Sequence, residues 1–306
     1  MDSFVIPFQE IAYGGILRPS YRGSGIITNR LACGKPNLMN ITSKDSPKKR
    51  TEEVEYKIRS VFVPRAGCYL LFPDYKQIEL WIAAFLSKDA VMMDALLSGK
   101  DLHALTAKAC FGHLSDFEKS YTRYRKLGKI INFAILYGAG AGAVMDQTGL
   151  GYNEAIQVLE RFWALYKGLN TYNKKLYDEA NAKGFIVNAW GRVFRFESGS
   201  EYKAMNTMVQ SFCAEVMKRA MINVDNLFEK HWVQAFLQLS IHDELGIEVS
   251  NQYNCKEILA DIIKAMQGDF HTKLGMPVPF PVSPALAETT WYDKIELNPV
   301  TFSPQT

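Results

Sequence analysis

The sequence "LQLSIHDELGIEV" (residues 237–249) predicts a β-hairpin whose connection carries two adjacent acids. Apolar residues alternate with polar ones on both sides of the connection, which is typical of two half-buried strands. The tightest hairpin turns use Asn-Gly or Asp-Gly, but here His242, Asp243 and Glu244 take their place. A turn does not need two carboxylates, so we interpret them as candidates for a functional site.

A second predicted strand ends in another carboxylate. The apolar run "CYLLFPD" (68–74) predicts a buried strand that ends at Asp74. Asp74 and Asp243 meet if both strands belong to one sheet. Such a pair can bind Mg²⁺, which prefers oxygen ligands and retains water for substrate phosphates. Two ions about 4 Å apart stabilise the attacking and leaving oxygens of a phosphoryl transfer. The alternative is that both acids are solvated turn residues.

The stretch "RYRKLGKIINFAILYGAG" (123–140) predicts a helix with an unusual stripe. Arg125, Lys129, Phe133 and Tyr137 are spaced by four residues, and each step of four rotates a helix by about 400°. They therefore lie along one face, which passes from two cations to two aromatic rings. Cations suit a triphosphate, and rings suit the sugar and base of a nucleotide. The alternative is a core helix whose basic end extends into solvent.

Length and composition are those of a globular protein. Of 306 residues, 48% are hydrophobic and 22% charged, and the net charge of +3 does not by itself indicate a nucleic-acid partner. The five scattered cysteines include no CxxC pair, so we expect reduced thiols instead of a zinc site or disulfides. No apolar run approaches the roughly 18 residues of a membrane span, and the first residues do not resemble a signal or transit peptide.

The remaining pattern predicts many helices around a few strands, which indicates an α+β fold. The charged stretch "SKDSPKKR" (43–50) predicts an exposed loop. The stretch "GFIVNAWGRVFRF" (184–196) predicts a second hairpin with Gly191 in its turn. Helices are predicted over 77–87 and 90–99, over most of 102–183 with breaks at "FGHLSD" and "YGAGAG", and over 200–229 and 254–268.

Three of these stretches, in this order, resemble motifs A, B and C of family A DNA polymerases. They are "DYKQIEL" (74–80), "RKLGKIINFAILYG" (125–138) and "HDE" (242–244). Supporting stretches are also similar: "TNRLACGKPNLMNI" (28–41), "DLHALTAKACFG" (101–112) and "AMNTMVQSFCAEVMKRAMI" (204–222). The resemblance implies an α+β right-hand palm, with an antiparallel sheet and helices, an inserted helical fingers subdomain and no thumb.

The resemblance also implies a subdomain organisation and a partner. We expect the palm to comprise 1–100, with motif A, and 184–306, with motif C, and the fingers to comprise 101–183, with motif B. The chain begins where the family's palm begins, so we expect a second polypeptide to supply the thumb, the 3′–5′ exonuclease or both. The stretch expected to bind it is "MDSFVIPFQEIAYGG" (1–15), with Phe4, Val5, Ile6 and Phe8 as apolar anchors; the alternative is that these residues pack on the palm.

Roles of individual residues follow from the same resemblance. Asp74, Asp243 and the backbone carbonyl of Tyr75 would bind two Mg²⁺ ions, for which Mn²⁺ would be a substitute. Glu244 would be a secondary acid near the primer end, and Lys129 would act in catalysis. Glu79 resembles the steric gate that excludes a ribose 2′-hydroxyl. The residues expected to face the nucleotide are Gln77, Glu79, His103, Arg125, Lys129, Phe133 and Tyr137. Those expected to contact primer-template are Arg30, Asn206, Gln210 and His242.

The implied activity is template-directed DNA synthesis from deoxynucleoside triphosphates, in the cytoplasm of a bacterial or phage-infected cell. A single-subunit RNA polymerase is one alternative, against which Glu79 argues. A non-catalytic DNA-binding palm subunit of a larger replicase is another, although Asp74, Asp243 and Lys129 are intact. A metal-dependent nuclease would leave the cation-aromatic helix unexplained.

The sequence departs from the family pattern at three positions. Trp81 stands where the family usually has Arg. Ala134 stands where the family usually has Gly after the "NF" of motif B. Asn29 stands where the family has a Gly before the arginine that contacts the DNA minor groove, which corresponds to Arg30 here. None of these changes removes a catalytic group, so we expect activity to be retained.

Overall fold

The computed structural model describes residues 5–41, 58–231 and 233–305. The predicted loop at 43–50 and Phe4 lie outside these ranges. The chain divides into two compact units, and their boundaries do not coincide with the expected limits at residues 100 and 183. The assignment of those ranges to palm and fingers therefore remains a prediction. Unit 1 comprises Met1–Ile78, Ala214–Thr272 and Pro277–Thr306, and unit 2 comprises Glu79–Cys213 and Lys273–Met276.

The helices follow the predicted periodicity closely. The break after α4 falls on "FGHLSD", and the break after α5 falls on "YGAGAG", as expected. One short helix, α1, was not predicted. The helices are α1 Val5–Ile11, α2 Ile78–Ser87, α3 Ala90–Leu97, α4 Leu102–Phe111, α5 Tyr121–Leu136, α6 Ala141–Thr148, α7 Tyr152–Leu165, α8 Lys167–Lys183, α9 Ala204–His231 and α10 Cys255–Gln267.

The described residues also form eleven strands, which together with the helices confirm the α+β class. The predicted second hairpin is β5–β6, with Gly191 at φ 79° between its strands. The strands are β1 Ser20–Arg22, β2 Ala32–Gly34, β3 Cys68–Leu71, β4 Asp74–Tyr75, β5 Phe185–Val187, β6 Val193–Arg195, β7 Ala235–Ile241, β8 Glu244–Ser250, β9 Val282–Ser283, β10 Ala285–Ala287 and β11 Ile295–Glu296.

Seven strands of unit 1 form one antiparallel sheet. Its order is β11-β10-β3-β8-β4-β9, and β7 also pairs with β8. The opening hairpin is thus β7–β8, but the prediction of two half-buried strands is wrong for β8. Residues Glu244 to Val249 are all buried, so both faces of β8 are covered, and β8 also pairs with a neighbouring strand at each edge. Strand β7 retains exposed positions and carries a bulge between Leu237 and Leu239.

The predicted strand 68–74 is interrupted in the structure. Strand β3 ends at Leu71 and β4 begins at Asp74. Pro73 lies between them and has no N–H to contribute to a ladder, but its carbonyl accepts a hydrogen bond from Leu245 N–H at 3.0 Å. Both short strands therefore remain aligned with β8, with Leu71 opposite Ile247 and Asp74 opposite Glu244.

The core of unit 1 includes an aromatic cluster around Trp291. Its ring stacks on Phe72, with ring centroids 5.9 Å apart, and meets Phe62 edge to face. Phe8 is buried in the same cluster. The side chain of Phe8 is therefore part of the core, which agrees with the alternative that this residue packs within the chain instead of anchoring a second polypeptide.

Two further features concern the cysteines and the hydropathy of the helices. All five cysteines are free thiols, as predicted from their spacing. Among the described residues, no helix combines the length and the apolar character needed to cross a membrane.

In unit 2, buried Asp89 joins two helices. Its side chain caps α3 by accepting from the N–H groups of Val91 at 3.1 Å and Met92 at 3.0 Å. Its second carboxylate oxygen accepts from Leu169 N–H at the start of α8, at 3.2 Å. An aspartate at an N-cap satisfies helix donors that otherwise have no partner, and here the same side chain also fixes a second helix.

Gly138 ends the helix that carries the cation-aromatic stripe. Its φ is 83°, and a Cβ placed on it would lie 2.9 Å from the carbonyl oxygen of Tyr202. Only glycine adopts this backbone conformation without strain. The end of α5 and the start of α9 can approach each other because this residue has no side chain.

We predict that Gly138→Ala destabilises the protein, by at least about 1 kcal/mol, through left-handed strain and the Tyr202 clash. Gly142→Ala is the matched control, because Gly142 is an exposed helical residue of α6 whose added Cβ meets nothing within 4 Å. Alanine there should be neutral or stabilising. Urea unfolding of the two variants measures the difference. Equal midpoints would contradict the role assigned to Gly138.

Candidate active site

The strand register brings three carboxylates to one end of the sheet. Asp74 lies directly opposite Glu244 in the β4–β8 ladder. Tyr75 N–H donates to the Asp243 carbonyl at 3.1 Å, so the hairpin turn is fixed to β4. The turn itself consists of His242, with φ 55°, and Asp243. The two strands thus share one sheet, as expected, and Asp74 and Asp243 meet there.

The electrostatics of this end of the sheet favour a cation. Burial, followed by the negative charges of Asp243 and Glu244, raises the pKa of Asp74 to about 8, while Lys294 opposes the shift. Ionised carboxylates placed this close are costly unless a positive charge compensates them. Carboxylate oxygens are the donors that Mg²⁺ prefers. The site therefore fits a divalent cation.

The number of available side-chain ligands is small. Within residues 5–41, 58–231 and 233–305, no group of three or more histidine, cysteine, aspartate or glutamate side chains has metal-binding geometry. Glu244 forms an ion pair with Lys294. The metal ligands predicted from the sequence, Asp74, Asp243 and the carbonyl of Tyr75, therefore remain predictions.

In unit 2, helix α5 carries the predicted stripe. Lys129 is exposed and Arg125 and Phe133 are half-buried, whereas residues of the other face, such as Ile131 and Ile135, are buried. Tyr137, just beyond the last helical residue, is 43% exposed. The four stripe residues therefore lie on the accessible face of the helix.

Asp101 contacts both Arg125, the first residue of the cation-aromatic stripe, and the N-terminus of α4. One carboxylate oxygen accepts from Arg125 Nε at 2.5 Å, and the other caps α4 by accepting from the N–H groups of His103 at 2.8 Å and Ala104 at 3.1 Å. The Arg125 guanidinium is therefore held beside the N-terminus of α4, where backbone N–H groups carry partial positive charge.

His103 is buried at the end of a hydrogen-bond chain. Its Nδ1 lies 2.9 Å from Asn132 Nδ2. Thr106 Oγ1 lies 2.7 Å from Asn132 Oδ1 and 2.8 Å from the hydroxyl of Tyr166. With Asn132 donating, Nδ1 is the acceptor and the imidazole proton is on Nε2. Phe133 also contacts the ring, with centroids 5.8 Å apart.

The environment keeps His103 neutral. Burial lowers the pKa of its imidazole to about 4, with Lys129 and Arg125 acting in the same direction and Asp101 against it. A neutral ring still donates one hydrogen bond to an anion, and it does so without taking up a proton. Sequence reasoning identified His103 but missed Asn132, Thr106 and Tyr166.

Glu79 and Tyr137 form a pair within unit 2. The Tyr137 hydroxyl donates to Glu79 Oε2 at 2.8 Å, and Glu79 is only 8% exposed. The two residues are 58 positions apart in the chain, so periodicity within either helix gives no signal for this contact. The hydrogen bond fixes the rotamer of the buried acid at the start of α2.

The remaining predicted residues occupy varied positions. Gln77 is half-buried with φ 55°, and His242 is exposed. Arg30 and Gln210 are half-buried. Asn206 is also half-buried, and its Oδ1 is a buried acceptor with no hydrogen-bond partner among the described residues. The contacts that these side chains make with DNA remain predictions.

We predict that His103 stays neutral down to about pH 5 and titrates near pH 4. Since the unfolded chain binds the proton at the ordinary pKa of 6.5, His103 makes stability fall as pH drops from 6.5 towards 4. The NMR shift of its ring protons against pH measures this. Lys129→Met should raise the pKa of His103, and the exposed neighbour Lys126→Met should leave it unchanged. A pKa near 6.5 in the unmodified protein would contradict the assignment.

Comparison with known proteins identifies the family. The model of DNA polymerase family A matches residues 7–293. DNA polymerase I of Pseudomonas aeruginosa is 34% identical over 254 residues, which cover 80% of this chain and 27% of that protein. DNA polymerase I of Lactococcus lactis subsp. cremoris is 31% identical, with 93% and 32% covered. The DNA polymerase of Mycobacterium phage D29 is 34% identical, with 62% and 30% covered.

A solved structure has a similar fold. The POL domain of Pol1 from M. smegmatis, in complex with DNA primer-template and dNTP, superimposes with a TM-score of 0.80 at 27% identity. The match covers 94% of this chain and 50% of that one. The chain spans about a third or less of the length of these curated relatives. A family match that extends over nearly all residues, together with these similarities, leads to one conclusion: the chain belongs to DNA polymerase family A.

Proposed function

We propose that this chain catalyses template-directed DNA synthesis, adding deoxynucleotides to the 3′ end of a primer. The observation that carries the proposal is the convergence of Asp74 and Asp243 at one end of the sheet, at the positions of motifs A and C. Family membership supports it. The M. smegmatis relative, solved with primer-template and dNTP, supports DNA and deoxynucleoside triphosphates as the substrates.

Family A DNA polymerases are generally metal-dependent. We assign Asp74, Asp243 and the carbonyl of Tyr75 as the ligands of two Mg²⁺ ions, with Mn²⁺ as a substitute. When bound, such ions supply charge neutralisation at the attacking and leaving oxygens. The raised pKa of Asp74 supports this assignment, because a neighbouring divalent cation compensates the charges that burial and two other acids make costly.

The triphosphate is assigned to Arg125, Lys129 and His103, all of unit 2, and the resemblance adds Gln77. Exposed Lys129 offers an ammonium group, and Arg125 is held beside the N-terminus of α4 by Asp101. The neutral imidazole of His103 offers the Nε2 proton. The primer 3′-oxygen attacks the α-phosphorus, the bond to the β-phosphate oxygen breaks, and pyrophosphate leaves. These groups bind and orient the anion, and positioning accounts for much of catalysis in phosphoryl transfer.

Sugar and base selection is assigned to three residues. Phe133 would lie against the incoming sugar, Tyr137 near the templating base, and Glu79 where a ribose 2′-hydroxyl would need space. The Tyr137–Glu79 hydrogen bond supports this assignment, since it fixes the buried acid in one position. Primer-template is assigned to the predicted DNA contacts Arg30, Asn206, Gln210 and His242. The unpaired Oδ1 of Asn206 supports a polar ligand there, because a buried acceptor without a partner is costly.

Three further sequence-based predictions belong to this proposal. They are the palm over 1–100 and 184–306 with fingers over 101–183, a second polypeptide that binds near residues 1–15, and a cytoplasmic location. Their tests are separate from the test of catalysis.

We predict that Asp74→Asn and Asp243→Asn each lower the rate of primer extension at least about a hundredfold, because each removes a carboxylate that binds cation. Affinity for primer-template should change only a few-fold, since phosphate contacts elsewhere dominate it. Asp94→Asn is the control, because that aspartate is exposed and forms a surface ion pair with Lys100. Extension within tenfold of the unmodified rate by either site variant would overturn the assignment.

We predict that Glu79→Ala raises ribonucleotide incorporation relative to deoxynucleotides, because it opens space beside the sugar 2′ carbon. Glu79→Gln keeps the bulk of the side chain and should largely preserve discrimination. Single-nucleotide extension with matched ribo- and deoxynucleotides measures both ratios. A ratio in the alanine variant equal to that of the unmodified chain would show that Glu79 is not a gate. Efficient ribonucleotide use by the unmodified chain would favour the RNA polymerase alternative.

A further inference from the structure

Glu244 is held by a lysine far along the chain. Lys294 lies 50 residues after Glu244, and its ammonium group forms an ion pair with the Glu244 carboxylate. Both side chains are largely buried, with 26% of the lysine and 11% of the glutamate exposed. The ammonium group also lies 5.4 Å from the ring centroid of Phe72. The pair is therefore part of the packed end of the sheet and is not a mobile surface contact.

A second cation acts on the same carboxylate. The Arg59 guanidinium lies 4.2 Å above the Trp291 ring, and its Nη2 donates to the carbonyl of Ile41 at 3.2 Å. Its Nε is buried with no hydrogen-bond partner among the described residues. Arg59 is close enough to Glu244 for the two charges to interact. Glu244 is thus compensated chiefly by Lys294 and additionally by Arg59.

Two aspartates lie next to Glu244 at this end of the sheet. Asp74 lies across the ladder from Glu244, and Asp243 precedes it in the chain. Without Lys294, three carboxylates would face one another at this end of the sheet. A third carboxylate adds both a possible ligand and a negative charge to a cation site, which increases its affinity for divalent ions.

We propose that Lys294 is an internal counter-cation that pairs with the carboxylate of Glu244, so that Glu244 does not join Asp74 and Asp243 as a ligand for divalent cations at this site. The inference rests on the proposed function for the assignment of those two aspartates as metal ligands. Its consequence is a metal affinity low enough that nucleotide phosphates contribute to ion binding. Lys294 acts through Glu244 and is a positioning residue.

The test is Mn²⁺ binding to the complete chain without DNA or nucleotide, followed through the electron paramagnetic resonance signal of free Mn²⁺. Lys294→Met removes the charge and keeps most of the side-chain length. It should tighten Mn²⁺ binding by about fivefold or more, since a unit charge within a few ångströms changes cation affinity at least by that factor. Lys294→Arg keeps the charge and should bind Mn²⁺ as the unmodified chain does.

Two further variants make the test specific to the ion pair. Lys294→Met combined with Glu244→Gln restores the charge balance, so its Mn²⁺ affinity should return to the original value. Glu244→Gln alone leaves the lysine uncompensated beside the aspartates and should weaken binding several-fold. This variant also tests the inference if Lys294→Met does not fold. Lys100→Met breaks the exposed pair with Asp94 and serves as the control with unchanged affinity.

Unchanged Mn²⁺ affinity in Lys294→Met would overturn the inference, and so would a double variant that binds as tightly as the single one. Primer extension by the unmodified chain separates this result from the proposed function. If the unmodified chain extends a primer but Lys294→Met leaves the Mn²⁺ affinity unchanged, only the inference about Lys294 is contradicted. The expected Mn²⁺ pattern without extension supports the counter-cation and counts against the polymerase activity.

Discussion

The antiparallel register of β8 is the constraint on which the carboxylate site depends. Strand β8 aligns with β3 through Leu71 and Ile247 and with β4 through Asp74 and Glu244. A slip by one residue would turn every side chain of β8 to the opposite face. Such a slip is costly here because β8 is buried along most of its length. Burial of apolar neighbours thus fixes the position of the acids, although the acids themselves oppose their close approach.

Much of the fold is predictable from local pattern, and what is missed depends on distant partners. Helices such as α5 and α10 have one apolar face, and periodicity locates them closely. The burial of both faces of β8 was missed because alternation within one strand does not show what packs on each face. In the site, Asp74 and Asp243 were found from their places at strand ends. Lys294 has no such signal, since its role exists only through a partner 50 residues away.

Two of the three departures from the family pattern, Asn29 and Trp81, have local physical reasons. Asn29 has φ 62°, a conformation that asparagine tolerates better than most residues, and its side chain donates to Glu215 at 3.1 Å. The asparagine therefore keeps the backbone shape that a glycine would allow and adds a buried hydrogen bond. Trp81 is buried and its ring lies nearly parallel to Phe85, so packing takes the place of the family's arginine charge.

Burial and neighbouring charges shift the pKa of one ionisable group in each compact unit, upward for Asp74 in unit 1 and downward for His103 in unit 2. In unit 1, burial and like charges raise the pKa of Asp74, so the carboxylates are stabilised by positive charge, whether from Lys294 or from a divalent cation. In unit 2, burial and two cations lower the pKa of His103, so the imidazole remains a neutral donor among groups that favour an anion. The carboxylates of unit 1 thus carry a surplus of negative charge that Lys294 offsets in part, whereas in unit 2 two cations lie beside a neutral hydrogen-bond donor.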